Sequence, residues 1–269
     1  MATNKSQFLY SGKIGNTRGY GRIRTAKKFI GLPGGPTLLE FQTLPSLLRM
    51  RQNASESGAC FMAAEQLNRL LFYQYFSKSC NATKGQIVNT LKALIQTDTV
   101  NPVGQRSIQF DGSAAEYMQA FNQKCYSYAN FNSVLNIPYT IDFNLVFKSF
   151  GITFSTAINQ ANFNVIPKGA TAYKIAIRVS LIPNLVYSST VQKYLWASDI
   201  NYFTAQSGFI DMNIVQSTPF NLVLTLVDPI PSNYGVFLTG YFAFYQKISG
   251  HYNLLHQLFP AVILKYSGS

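Results

Sequence analysis

Two hydrophobic periods divide the chain. Between about Ser55 and Ile95 apolar residues recur at helical spacing, and after Arg106 they recur nearer to every second position. Cys60, Ala64, Leu67, Leu71 and Tyr75 fall at i, i+4 and i+7, with Ala63 and Leu70 widening the stripe, which predicts a helix from about Ser55. A second helix follows. Thr83 and Gln86 have the spacing of a capping box, in which the hydroxyl accepts from a first-turn amide, and Ile87, Val88, Leu91, Leu94 and Ile95 form one apolar face. Two one-faced helices must pack against each other and against something else, so residues 37–105 are expected to hold a helical hairpin. Asn101-Pro102-Val103-Gly104 closes that region as a turn.

Strands are predicted over residues 141–147, 172–181, 209–215, 220–227, 236–246 and 261–266, each bounded by Pro, Gly, Asn or Ser within a few residues. Alternation is clearest in Tyr173, Ile175, Ile177, Val179 and Leu181, with Lys174 and Arg178 on the other face. Residues 113–116 open at most one short helix before them. The expected fold is α+β and mostly β: an N-terminal arm (1–36), the helical hairpin region (37–105) and an antiparallel β-sandwich, Ig-like or jelly-roll-like, over 106–269.

Composition changes this picture at both ends. Of the 269 residues 47% are hydrophobic and 12% are charged, where a soluble domain has about 25% charged. Either neutral polar faces or something other than water must cover much of the surface. The formal charge is +12, and residues 1–51 hold nine bases and one acid. The same stretch contains Gly12, Gly15, Gly19, Gly21 and Gly31 and reaches the breaker Pro33-Gly34-Gly35-Pro36, so residues 1–36 read as an extended or loosely turned arm. Within it Arg18-Gly19-Tyr20-Gly21-Arg22-Ile23-Arg24 and Lys27-Lys28 alternate cations with flexible glycine and a stacking tyrosine, the mixture that follows a phosphate backbone. A solvated basic arm, or one pinned on a neighbouring subunit, uses the same residues. Lys13, Arg18, Tyr20, Arg22, Arg24, Lys27 and Lys28 are therefore the candidate nucleic-acid or subunit contacts.

Catalytic chemistry finds little support. Cys60, Cys80 and Cys125 show no C-x-x-C spacing, and His251 and His256 have no carboxylate near them in sequence, so neither a metal site nor a cofactor is expected. Asp142, Asp199, Asp211 and Asp228 are spread singly where an Asp usually serves a turn. Ser11-Gly12-Lys13 resembles the end of a phosphate loop, but Gln7 stands where the upstream glycine is required. No apolar run has the length of a secretory signal or a membrane span, which predicts a cytoplasmic protein with reduced thiols. The sequons Asn53-Ala54-Ser55 and Asn81-Ala82-Thr83 then read as chance matches.

Residues 107–269 contain only eight bases and six acids. Strand edges of monomers are normally guarded by charges and proline. Here an ordinary sandwich with neutral faces competes with one whose faces are covered by copies of the same chain, since interfaces favour aromatics and are poor in Lys, Glu and Asp. The succession of Ser11-Gly12-Lys13-Ile14-Gly15-Asn16, a helical pair with Arg51, Asn53 and Glu56 ahead of it, Asp98, Gly104-Gln105-Arg106 and a β-domain ending in Phe244-Tyr245-Gln246-Lys247 and a last strand resembles a group of signal-less Bacteroidota proteins of about this length. It departs from them where an expected Gln-Glu-x-Asn-Gly hairpin becomes Gln246-Lys247-Ile248-Ser249-Gly250. The resemblance implies no activity and transfers no site residue. The expected function is that of a non-enzymatic structural protein assembling with itself into a filament, tube or capsid-like shell; a discrete nucleic-acid-binding protein is the alternative.

Overall fold

The computed structural model describes residues 2–3, 12–14, 17–21, 28–31, 36–72, 81–112, 115–122, 131–255 and 261–268. The chain divides into two compact units, residues 1–51 and 52–269.

In the first unit β1 (Ala2–Thr3), β2 (Gly12–Ile14), β3 (Thr17–Gly21) and β4 (Lys28–Gly31) form an antiparallel sheet in the order β1-β4-β3-β2. Strands of five residues or fewer show no readable alternation, so the sequence pattern does not reveal them. α1 (Leu38–Thr43) opens on a reciprocal capping box: Thr37 Oγ1 accepts from the Glu40 amide at 3.2 Å, and the Glu40 carboxylate accepts from the Thr37 amide at 2.7 Å. Those bonds hold the Glu40 carboxyl below its ordinary range. Arg51 Nη1 donates to the Phe41 and Leu44 carbonyls, 2.8 Å from each, and so satisfies acceptors that the end of α1 leaves open.

α2 (Leu48–Phe72) starts ahead of Ser55, and α3 (Asn81–Leu94) starts ahead of Thr83. The capping box expected at Thr83 and Gln86 is therefore not the start of α3: Thr83 already lies within its first turn. The two helices run antiparallel, with Lys84 paired to Glu65 and the Lys92 ammonium 5.5 Å from the centre of the Phe61 ring. Of the predicted stripe, Cys60, Ala63, Ala64 and Leu67 are buried, as are Ile87, Val88, Leu91 and Leu94 of the second helix and Ile95 in the 3-10 turn that follows it. Tyr75 lies outside the described residues. Both sequons fall inside helices. α4 (Ala115–Phe121) and α5 (Phe131–Val134) complete the helices.

The strands that follow are β5 (Tyr139–Asn144), β6 (Ser149–Phe154), β7 (Ala172–Pro183), β8 (Leu185–Ser188), β9 (Lys193–Trp196), β10 (Asn201–Gln206), β11 (Ile210–Asp211), β12 (Asn221–Thr225), β13 (Tyr234–Ile248), β14 (His251–Leu254) and β15 (Ala261–Gly268). The larger sheet runs β10-β7-β13, with β14 and β15 both pairing with β13 and β11 pairing with β7; the smaller runs β12-β6-β5, and β8 with β9 forms a ribbon. All pairings are antiparallel.

The larger sheet is covered on both faces. On one, Ile175, Ile177, Val179, Phe242, Phe244 and Leu264 pack with Phe150, Ile152 and Phe154 of the smaller sheet. On the other, Ala176, Ile182, Phe237, Tyr241, Ile263 and Tyr266 pack with the apolar faces of α2, α3 and α4. The helices, the larger sheet and the smaller sheet thus stack as three layers, and the helical hairpin finds in the sheet the surface its one-faced pattern requires. This explains a departure from the sequence reading. The face of β7 that bears Arg178 does not meet solvent; Arg178 is only 5% exposed.

Two predicted strands stop short. Asn144 Oδ1 accepts from the Phe147 amide at 3.0 Å and turns the chain back into β6, which the sequence reading does not include. Asp211 Oδ1 accepts from the Asn213 amide at 2.8 Å and ends β11 after two residues. Ser249 and Gly250, at φ 50° and 84°, form the two-residue β13–β14 turn of type I′ character expected at that pentapeptide. Among the described residues no helix is long and apolar enough to cross a membrane.

Candidate interaction surfaces

The basic segment is folded, where described, into the sheet of the first unit. Its register sets Lys13 opposite Arg18, Tyr20 opposite Phe29 and Gly21 opposite Lys28, so Lys13, Arg18, Tyr20 and Lys28 share three adjacent strands. Arg22, Arg24 and Lys27 lie outside the described residues. The first acid in the chain is Glu40. Like charges directly opposite each other across strands are unfavourable, and a bound anion between them offsets that repulsion.

In the β-region three cations, Lys174, Arg178 and Lys247, lie over aromatic rings. Lys174 Nζ lies 3.9 Å from the centre of the Phe209 ring, and the other face of that ring stacks on Tyr252 at 3.8 Å and 7°. Lys247, paired in register with Tyr252, holds its ammonium 5.3 Å from the Tyr252 ring, and Tyr245 meets the edge of Phe209 at 4.9 Å. The Arg178 guanidinium lies 4.6 Å from the Tyr202 ring, and its Nε donates to Thr204 Oγ1 at 3.0 Å. Register produces these contacts, because Thr204 stands opposite Arg178 on β10, with Tyr202 two residues along the same face. With both faces of Phe209 occupied, the array fastens the end of β7 to β13 and β14 and offers no free platform for a base.

The strand edges show a different chemistry. Among the described residues β10, β12 and β5 each pair with one strand, on one side, and none of the three contains Lys, Arg or Pro. On β10 Tyr202 is 55% exposed. The outward face of the smaller sheet is made of Thr140, Asp142, Ser149, Gly151, Thr153, Asn221, Val223 and Thr225, in register across β5, β6 and β12. Its one ionisable group, Asp142, accepts from Ser149 Oγ at 2.7 Å. At Gly151 a Cβ would stand 3.0 Å from the Leu222 carbonyl oxygen and 3.2 Å from Val223 Cγ2, so a side chain there would crowd β12.

The described ion pairs all fall between residues 56 and 106. Here the structure brings Glu56, Asp98, Gly104 and Arg106 together in a buried polar knot. Glu56 Oε1 accepts from the Gly104 amide at 2.7 Å and lies 3.8 Å from Arg106 Nε, while the Gly104 carbonyl accepts from Ser55 Oγ at 3.0 Å and from the Tyr194 hydroxyl at 3.2 Å. Asp98 accepts from the Val100, Asn101 and Ser107 amides, Asn101 Nδ2 and Ser107 Oγ. Burial alone would raise its carboxyl; the bonds from Asn101 and Ser107 instead hold it well below the usual carboxylate range. These carboxylates are committed to backbone, which makes the knot a structural joint. The sequence marks its members only as short motifs, because the residues meet across 48 positions.

Cys60 is buried in the helical core, and burial pushes its thiol up to about 11, with Lys92 pulling it down and Glu56 pushing it further up. His251 stands exposed on β14, while Cys80, Cys125 and His256 lie outside the described residues. Among the described residues no group of three or more His, Cys, Asp and Glu is placed to hold a metal. None of the known protein families, curated proteins or solved structures compared with the chain matches it.

Proposed function

We propose that the chain is a non-enzymatic structural protein that assembles with copies of itself into a repeating oligomer, a filament or tube or a capsid-like shell. The supporting observation is the chemistry of β10, β12 and β5: strands that, among the described residues, pair on one side and that have none of the lysines or prolines that keep sheet edges apart. The outward face of β5, β6 and β12 adds hydroxyl and amide groups, with Asp142 as its one ionisable group, which a second copy must hydrogen-bond if it covers them. Residues 1–36 make further inter-subunit contacts in this reading. Light scattering and negative-stain microscopy of the purified protein at moderate salt test it: large regular particles are expected, and a monodisperse species of 30.0 kDa at every concentration overturns it.

A second reading is favoured by one observation, the acid-free first 39 residues with Lys13 set opposite Arg18. In it the first unit binds nucleic acid. Affinity then falls with salt, at a slope of roughly 0.7 to 0.9 per phosphate neutralised, and replacing Arg18, Arg22, Arg24, Lys27 and Lys28 by Gln flattens that slope.

A further inference from the structure

The smaller sheet carries an apolar tip at one end and a recess at the other. At the tip, the β5–β6 turn and the segment after β12 expose Val146 (83%), Phe147 (74%) and Val227 (90%) side by side. The arrangement is built. Phe147 is held by its amide bond to Asn144 Oδ1; the Leu226 amide donates to the Lys148 carbonyl at 3.0 Å, and Lys148 Nζ donates to the Val227 carbonyl at 2.9 Å. The nearby ammonium is thereby engaged, and the three side chains are presented to water at a cost in free energy that only a partner removes.

At the opposite end, where the Phe154 amide donates to the Phe220 carbonyl at 2.9 Å, a recess of about 290 Å³ opens between β12, β7 and β11. Its walls are Ile158, Tyr173, Ile210 and Phe220, with Gln216 and Thr218 among its polar residues. Tyr173 is fixed by its hydroxyl on the Ile158 carbonyl at 3.0 Å, and the Gln216 amide by Asn159 Oδ1 at 2.7 Å, so the recess exists before anything enters it. An apolar cavity of about 150 Å³ accepts benzene, so this one has room for a phenyl ring with its neighbours. The exposed Ile214 and Val215 precede Gln216 in the chain and extend the apolar surface beside it.

We propose that Phe147 of one copy seats in the recess between Tyr173 and Phe220 of the next, so that copies join head to tail along the strand direction of the smaller sheet. The occupant is a second copy because the chain itself presents an aromatic side chain of fitting size and chemistry. The tip cannot reach its own recess, since the five residues of β12 alone separate the two by about 17 Å at 3.4 Å per residue. Two different patches joining in this way make a heterologous contact, which closes into a ring or continues as a filament. The inference rests on the self-assembly reading and names the surface that reading would use.

Two variants of the full chain test it by sedimentation velocity at concentrations where the wild type assembles. Phe147→Asp removes the tip and leaves the recess; Thr218→Trp fills the recess and leaves the tip. Each is expected to weaken self-association about 30-fold or more, the effect of losing a central aromatic anchor. A one-to-one mixture is expected to form a dimer of twice 30.0 kDa at concentrations where neither variant associates alone, because each variant supplies the half that the other lacks. Both positions are exposed, so melting temperatures should stay near that of the wild type; where Phe147→Asp fails to fold, Phe147→Ser removes the ring without adding a charge. Wild-type-like assembly of the Phe147 variants, or a mixture that forms no dimer, overturns the contact while leaving self-assembly standing. A wild type that stays monomeric overturns both.

Discussion

The Gly104 amide donates to Glu56 Oε1 at 2.7 Å, and this bond joins α2 to the turn that leads from the helical hairpin into the β-region. Gly104 stands at φ +93°, and a Cβ there would lie 2.9 Å from Gln52 Cγ and 3.0 Å from Gln52 Cα. Gly104→Ala should therefore lower stability by about 2 kcal/mol, from strain and from displacement of the Glu56 bond. Glu56→Ala should cost about 3 kcal/mol, since it leaves the Gly104 amide and the neighbouring Arg106 without their carboxylate. Urea unfolding checks both: the midpoint falls while the slope is unchanged.

Asp98 sets a pH dependence. Its folded value lies below the ordinary value of about 3.9, so its contribution is fully present above about pH 4 and disappears as pH falls through the folded value. Asp98→Asn should cost about 2 kcal/mol near neutrality, because an amide nitrogen must then face the donors of Ser107 or Asn101. The difference between the two proteins, followed by thermal melts, should hold steady from about pH 5 to 8 and shrink below about pH 4.

Burial predicts that Cys60 is inert in the folded chain. In a protein with Cys80 and Cys125 replaced by Ser, iodoacetamide should modify Cys60 no faster than the chain unfolds, with a rate that levels off at the unfolding rate where alkylation outpaces refolding. The folded value of about 11 lies above the unfolded one of about 8.5, so this thiol's contribution is complete below about pH 8.5 and is lost as pH rises towards 11.

Val223 stands exposed at the centre of β12, an edge without cations. Val223→Lys should change the stability of the isolated chain by no more than about 0.5 kcal/mol while reducing particle size in light scattering. Particles of unchanged size would show that β12 takes no part in association.

Ser249 occupies the first central position of a turn that requires positive φ at both central residues. Asn tolerates that region better, and Ser249→Asn should raise stability by about 0.5 kcal/mol in a thermal melt.

The parts of this fold that announce themselves in sequence are those whose burial is one-sided. Ile87, Val88, Leu91 and Leu94 repeat at helical spacing because α3 has one wet face, Ile95 continues the stripe into the turn after it, and all five are buried. β7 and β13 are legible for another reason, their length and β-branched or aromatic content. Alternation along β7 does not reveal that its second face is also covered, so that Arg178 is buried. β6 is hidden because the Asn144 side chain, and not glycine or proline, turns the chain. The edges are illegible in principle: which strands lie outermost depends on pairings such as β13 with β7 and β15, which join residues far apart in sequence. The low charge of residues 107–269 is plain in the sequence, whereas the strands that place it outermost are not.

The position of β15 has a consequence for the order of events in the life of the molecule. Val262, Ile263, Leu264 and Tyr266 complete both cores at once, and the Tyr266 hydroxyl reaches the Phe110 carbonyl at 2.6 Å, 156 residues earlier in the chain. Until this strand leaves the ribosome, one flank of β13 stays open and neither core can close. The flank of β13 that would otherwise recruit any nearby strand is thus filled by the chain's own β15 only after translation has passed residue 268, which leaves the outer strands as the edges a partner can meet.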